Sequence, residues 1–291
     1  MIGVTPATDF AVAQHDGTSW PARPSAQVVR WVGPVHPGEP PMLSDDEFRQ
    51  YGNAAPGDVA NLALHYIAED ASGSDDADIT AWTDAVASAA VTIPSGFEPQ
   101  IRRSELNSLA VLDFTTGSHY LTTTNWQSGD LSQLTFLAVA KFNSTADQNI
   151  VSNDVSGWGG DIVIGIDPNG AFAPNYPLEW GFTLQDNSST RGVGTNGNTV
   201  DTAGYHVYAI KLDVDNDIMA TYVDGSKVEE VTGWKIAGDV VTQRAWDIGR
   251  NIQNGDRYFN GWLAELCWYE DALSDGTVQS VSGYLADKYG L

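Results

Sequence analysis

Residues Tyr258 to Leu291 read YFNGWLAELCWYEDALSDGTVQSVSGYLADKYGL, and this stretch decides the fold. Its first half alternates like a strand. Phe259, Gly261, Leu263, Glu265, Cys267 and Tyr269 fall on one face, and Asn260, Trp262, Ala264, Leu266 and Trp268 on the other. Apolar residues occupy both faces, so the strand is expected to be covered on both sides. The period then changes. Leu273, Ser274 and Val278 read as a hydrophobic staple around an N-cap, and Val278, Val281, Leu285 and Tyr289 share one helical face. Gly290 can take the left-handed cap. A closing strand followed by one short helix fits the sealed end of a large β-sandwich.

These residues resemble the C-terminal signature of concanavalin A-like lectin/glucanase domains of the laminin-G-like kind. The matching positions are Phe259, Gly261, Leu263, Ala264, Glu265, Leu266, Tyr269, Leu273, Ser274, Lys288, Tyr289, Gly290 and Leu291. Further pieces follow the family's order upstream. Trp82-Thr83-Asp84 resembles its early Trp–x–Asp segment, and Val111–Phe114 with Tyr120-Leu121 its first hairpin. Leu134–Phe142 resembles its long central strand, Tyr222-Val223-Asp224-Gly225 its Asp-Gly hairpin, and Trp246–Gly249 its penultimate strand. The resemblance spans residues 59–291 and implies an all-β, antiparallel jelly-roll sandwich with a short C-terminal helix. It does not fix a function, because this fold hosts lectins, hydrolases and adhesion modules.

Composition narrows the setting. The net charge of −24 comes from 28 Asp and 10 Glu against 9 Arg and 5 Lys. That excess of Asp and scarcity of Lys suit concentrated salt, where self-repulsion is screened within a few ångströms and carboxylates keep a hydrated surface. So negative a surface argues against nucleic acid and anionic lipid as partners. No apolar run approaches the ~20 residues needed to cross a bilayer. The single cysteine, Cys267, sits mid-strand in an apolar run and reads as a buried thiol rather than a nucleophile. The opening MIGVTPATDF has neither a basic region nor an apolar core, so no signal peptide is expected there.

Residues 1–58 differ from the rest, holding eight of the thirteen prolines. Such a segment does not close a core of its own. It reads as an extended docking or oligomerisation arm, the alternative being a strap on its own sandwich. From about Asn61 the pattern turns β, with Leu62–Ala68, Val111–Phe114, Leu134–Phe142, Ile162–Ile166, Trp180–Leu184, Tyr205–Leu212, Ile218–Val223, Trp246–Ile248 and Tyr258–Tyr269 expected as strands between Gly, Asn, Asp and Ser clusters.

Catalysis is not expected. Retaining glycosidases need two carboxylates about 5–5.5 Å apart, which hydrolases of this fold carry as Glu–x–Asp–x–x–Glu or Glu–x–Asp–x–Glu on one strand. Neither pattern occurs here. Glu229 and Glu230 are adjacent and point to opposite faces, and Glu265 matches a structural Glu of the family. For a metal, Ca²⁺ is the candidate, because loop carboxylates and amides suit it. Asp213, Asp215 and Asp217 alternate correctly for ligands, yet Asp215-Asn216 also reads simply as the β-turn between two strands. Asp154 and Asp161 flank a glycine-rich loop that forms the second candidate.

Sugar sites combine an aromatic face with planar amides and carboxylates that read hydroxyls. Trp126 and Trp158 lie in polar loops, whereas Trp180, Trp246, Trp262 and Trp268 read as core. The polar complement is Asn153, Asp154, Arg250, Asn251 and Tyr258. Strand ends of a jelly roll can gather these along one rim. The expectation is a non-enzymatic virion protein of a halophilic virus, a capsid decoration or tail fibre. Its arm would bind other virion proteins, its sandwich a host-surface glycan, and it would form a homo-oligomer. A secreted glycan-binding module or hydrolase, and a capsid cement without ligand, remain the alternatives.

Overall fold

A computed structural model of the chain describes residues 53–291, except 128, 155–159, 167–178, 186–189, 196, 198, 235–239 and 252–256; the side chains of 190 and 191 are also left aside. The expected arm therefore lies outside the described residues up to Gly52. Its last residues belong to the sandwich: Ala54 N donates to Ser280 Oγ (2.9 Å), Tyr269 Oη donates to Pro56 O (3.1 Å), and Pro56 is buried.

The strands are β1 (Leu62–Ile67), β2 (Ala77–Asp78), β3 (Gln100–Leu106), β4 (Leu109–Asp113), β5 (Leu121–Thr122), β6 (Gln133–Phe142), β7 (Gln148–Ser152) and β8 (Asp161–Ile166). There follow β9 (Trp180–Gln185), β10 (Thr190–Val193), β11 (His206–Asp213), β12 (Ile218–Val223), β13 (Ser226–Val231), β14 (Asp247–Ile248), β15 (Gly261–Tyr269) and the helix α1 (Asp275–Tyr289). Among the described residues they form two antiparallel sheets. One has the order β13-β12-β11-β6-β15-β4-β3-β2, with β1 also on β15; the other runs β10-β9-β8-β7-β14-β5. This is the antiparallel jelly-roll sandwich that the sequence led us to expect. The family's early segment serves as a brace: the Trp82 indole donates to Ile67 O (2.7 Å), and Asp84 accepts from His65 N (2.5 Å).

Between the sheets lies the main core, in which Trp82, Trp180, Trp246 and Trp268 are fully buried with Phe114, Phe136 and Phe142. Each such side chain contributes roughly 1.5–3 kcal/mol by leaving water. A second core joins the outer face of the larger sheet (Val139, Ala209, Tyr222, Cys267, Tyr269) to Val278, Val281, Leu285 and Tyr289 of α1. The helix ends follow the sequence reading: Ser274 accepts from Thr277 N, and Gly290 takes a left-handed φ of 69°. Trp262 departs from it, lying half-buried on the helix side with Lys141 Nζ 5.2 Å from its ring.

Two expectations are corrected. The strict alternation of the closing strand fails, because a β-bulge interrupts the pairing of β15 with β6 between Leu263 and Glu265. Phe259 and Leu263 face the inter-sheet core, while Glu265, Cys267 and Tyr269 face α1. One extra residue shifts every later side chain to the opposite face. The expected hairpin between Val111–Phe114 and Tyr120-Leu121 does not form either. β4 pairs instead with β3 through an Asn107-Ser108 turn with positive φ at both residues, and β5 joins the other sheet beside β14. The Asp224-Gly225 turn joins β12 to β13 as expected, again with positive φ at both positions, the requirement of a type I′ hairpin.

Candidate functional site

The smaller sheet carries a polar cluster where β7 and β14 run out. Asn153 fixes the mouth of the β7–β8 connection. Its backbone N donates to Ile162 O (3.1 Å), its Oδ1 accepts from Ile162 N (2.6 Å), and its Nδ2 donates to Thr242 O (3.3 Å). Asp161 begins β8 and pairs with Arg244 at 2.5 Å, and the same guanidinium donates to Asn153 O at 3.4 Å. Asp154 is fully buried. Burial raises its pKa, and the Asn251 amide with the charges of Arg244 and Arg257 opposes that rise. Asn251 N in turn donates to Arg257 O (3.3 Å), and Arg257 Nε pairs with Asp147 at 2.8 Å.

Arg250 is held from several sides. Gly249 turns the chain out of β14 with φ 95°, where a Cβ would lie 2.8 Å from His119 O; only glycine fits such a turn cheaply. Ser152 Oγ donates to Arg250 O (3.0 Å), and Arg250 bridges to Tyr258 in the antiparallel sense. Its Nε pairs with the buried Asp247 at 2.5 Å, and its Cζ lies 3.3 Å from the centre of the Tyr120 ring. Asp247 also accepts from Thr122 Oγ1 (2.7 Å); burial raises its pKa against these two bonds. Tyr120 links to Phe97 (4.9 Å between ring centres) and to Tyr258 (6.4 Å), and all three rings are half-buried.

The structure thus brings Asn153, Asp154, Asp161, Arg250, Asn251 and Tyr258 into one region of the fold. Trp126 lies beside it, half-buried against the core with its ring 6.1 Å from that of Trp246. The neighbouring Gln127 ties that segment in, accepting from Arg244 N and from the Trp246 indole, both at 3.2 Å. Trp158 lies outside the described residues. Sequence reading missed Tyr120, Phe97 and Arg244, and placed Arg257 only in the polar loop that runs from Arg250 to Tyr258. The spacing of Arg244, Arg250 and Arg257, three of the nine arginines within fourteen residues of an acidic chain, was the available signal.

The other acidic candidates are not gathered. Asp213 accepts from Asn216 N (3.1 Å) and Asn216 Nδ2 (2.7 Å), Asp215 from Ser132 Oγ (2.9 Å), and Asp217 from Gly233 N (2.6 Å) and Trp234 N (3.1 Å). Each carboxylate braces a turn. At Asp161 a cation would have to displace Arg244, and at Asp154 it would meet the Asn251 amide and the charges of Arg244 and Arg257. Among the described residues, the close group with metal-ligand chemistry is His65, Glu265 and Cys267. There Glu265 is already engaged by His65 Nε2 (2.6 Å), Lys288 Nζ and Tyr289 Oη (2.8 Å), and burial pushes the Cys267 thiol well up.

The sequence profile of the concanavalin A-like lectin/glucanases superfamily, of the laminin-G type, matches residues 115–279, more than half of the chain. The chain belongs to this superfamily. No curated protein matches it by sequence. Similar solved structures include domain 4 of AbnA, a GH43 extracellular arabinanase from Geobacillus stearothermophilus, in complex with arabinotriose. It is 15% identical, with a TM-score of 0.55, over 76% of this chain and 98% of that one. The binding domain of botulinum neurotoxin DC, in complex with SialylT, is 13% identical, with a TM-score of 0.52, over 78% and 52%. Trypanosoma rangeli sialidase, in complex with sialic acid, is 11% identical, with a TM-score of 0.52, over 79% and 33%. This chain therefore spans about half of the toxin domain and a third of the sialidase. At these identities the likeness is one of fold.

Proposed function

We propose that the sandwich is a non-enzymatic glycan-recognition module, displayed on the particle of a halophilic virus as a capsid decoration or tail fibre. The observation that carries the recognition reading is the rim itself. The Arg250 guanidinium, its side chain 21% exposed, lies over the half-buried ring of Tyr120 with that of Tyr258 6.4 Å further on, a polar fork beside aromatic faces that can read sugar hydroxyls and cover a pyranose, while the buried Asn153 and Asn251 brace the rim. The arabinotriose and SialylT complexes of its structural neighbours support the same reading. Its non-enzymatic part is supported by the missing Glu–x–Asp strand pattern and by the arginine partners of Asp147, Asp161 and Asp247 and the Lys288 partner of Glu265. An ion-paired carboxylate is favoured in its charged form and so is a poor general acid.

The viral part rests on composition: the Asp-rich surface and the proline-rich segment of residues 1–58, proposed to dock to other virion proteins and to support a homo-oligomer. Mass spectrometry of purified particles from a salt-lake host tests it, and absence of the chain from particles refutes it. Recognition is tested on a glycan array in molar KCl. Tyr258→Ala is expected to weaken the bound glycans about 10- to 100-fold, the scale of losing one large buried ring, while the melting temperature barely moves. Retention of no glycan, or full affinity in the variant, overturns the recognition reading. Release of reducing ends overturns its non-enzymatic part.

A further inference from the structure

Arginine in this chain is scarce and not used alike: Arg257 pairs with Asp147 through Nε (2.8 Å), while others spend their outer donors as well. Arg102 shows the pattern: Nε binds Asp113, Nη1 binds Asp76 and Nη2 binds Gln100. Arg103 likewise uses Nη2 on two backbone carbonyls, those of Ala71 and Gly73. Arg250 differs. It bonds through Nε alone, to Asp247, and among the described residues its two Nη groups make no hydrogen bond. The Gly249 turn, the Ser152 bond to its carbonyl and the bridge to Tyr258 fix its backbone, while the Nε bond to Asp247 and the stack on Tyr120 set the guanidinium plane. Its side chain is 21% exposed.

A planar fork with unused donors, fixed before any ligand arrives, matches a carboxylate in two-point geometry. Asp247 is fully buried and is spent on Nε and on Thr122, so the outer edge of the fork keeps its positive character. The half-buried ring of Tyr120 lies against the face of the fork, with that of Tyr258 6.4 Å from it, and the pair offers apolar cover for a sugar ring. Water would satisfy the free donors equally well. It would not account for a guanidinium held both by Asp247 and by the Tyr120 ring, since holding a long side chain still costs rotamer entropy.

We infer that Arg250 reads a sugar carboxylate, so the ligand is an acidic glycan of the uronic or sialic acid class. The inference rests on the glycan-recognition reading above. It also makes a physical demand. A protein of net charge −24 repels an anionic polymer in dilute buffer, and molar salt removes that long-range barrier while a partly desolvated two-point contact survives.

The test uses the full chain in molar KCl on an array that pairs each uronate- or sialate-bearing glycan with its carboxyl-reduced, neutral counterpart. The wild type is expected to favour the acidic member at least about 10-fold, the scale of one charge-assisted contact. Arg250→Lys keeps the charge and a partner for Asp247 but loses the fork, and is expected to bring the ratio close to one with the melting temperature held. Tyr258→Ala is expected to weaken both members alike and leave the ratio intact. Equal binding of both members by the wild type, or a ratio unchanged in Arg250→Lys, overturns the carboxylate assignment and leaves glycan recognition standing. Binding of neither member removes both readings.

Discussion

Glu265 offers a sharp test of how the helix is held to the sandwich. Its carboxylate is 1% exposed and carries three partners: His65 Nε2 at 2.6 Å, Lys288 Nζ, and Tyr289 Oη at 2.8 Å. Two of them come from the last turn of α1, so this one side chain fastens the helix to β15. Glu265→Gln conserves shape and removes only the charge. Breaking a buried pair by neutralising one member costs roughly 3–5 kcal/mol, because the other charge is left uncompensated. Lys288 is 24% exposed and can partly rehydrate, which places the expected loss near the lower end, about 3 kcal/mol. Burial alone would raise the pKa of Glu265, but the bond from His65 and the charge of Lys288 outweigh it and hold the value below that of a free Glu. A depressed folded pKa means that the stabilisation is complete above the unfolded value, about 4.3, and is lost as pH falls through the folded one. Urea unfolding of wild type and variant across acidic and neutral pH measures both quantities. A loss under about 1 kcal/mol at neutral pH, or a difference that does not shrink on acidification, would refute the anchor.

Three further outcomes are expected. Thermal stability should climb steeply between dilute buffer and molar KCl, as screening shortens to about 3 Å; a flat melting temperature across that range removes the argument from the 28 Asp residues. His206 hydrogen-bonds Asp224 (2.8 Å) and Asp201 (3.3 Å), and the bond to Asp224 chiefly raises its pKa. Its contribution is therefore full below about pH 6.5 and fades as pH rises through the folded value; a melting-temperature gap between wild type and His206→Gln that widens with rising pH would contradict this. Gly249→Ala, which must adopt φ 95° with its Cβ against His119 O and the Phe114 ring, should lose about 1–3 kcal/mol and glycan affinity together. Retained affinity would show that the Gly249 turn does not position Arg250.

How much of this was legible beforehand differs by length scale. The closing strand and helix were readable because period, cap and turn chemistry are local: Ser274, Val278, Leu285 and Gly290 do in the fold what their spacing implies. The Asp224-Gly225 hairpin and the turn at Asn216 were readable for the same reason. Strands β3, β7, β10 and β13 were not anticipated, since QIRRSEL, QNIVS, TRGV and SKVEEV lack a clean apolar alternation and owe their state to the strands beside them.

The sequence by itself determined the sandwich, its closing helix, its acidic character and a polar stretch at Asn153, Asp154, Arg250 and Asn251. Only the tertiary structure decided which faces those residues share. The bulge after Leu263 reversed the expected sides of the closing strand, and sheet register set Asp161 against Arg244 and Asp147 against Arg257, partners about eighty and more than a hundred residues apart. Tyr120 became the bed for Arg250 because β5 joined β14 rather than β4. A periodicity reports on neighbours a few residues away, whereas an ion pair or a stacked ring depends on how separate strands are registered across a sheet.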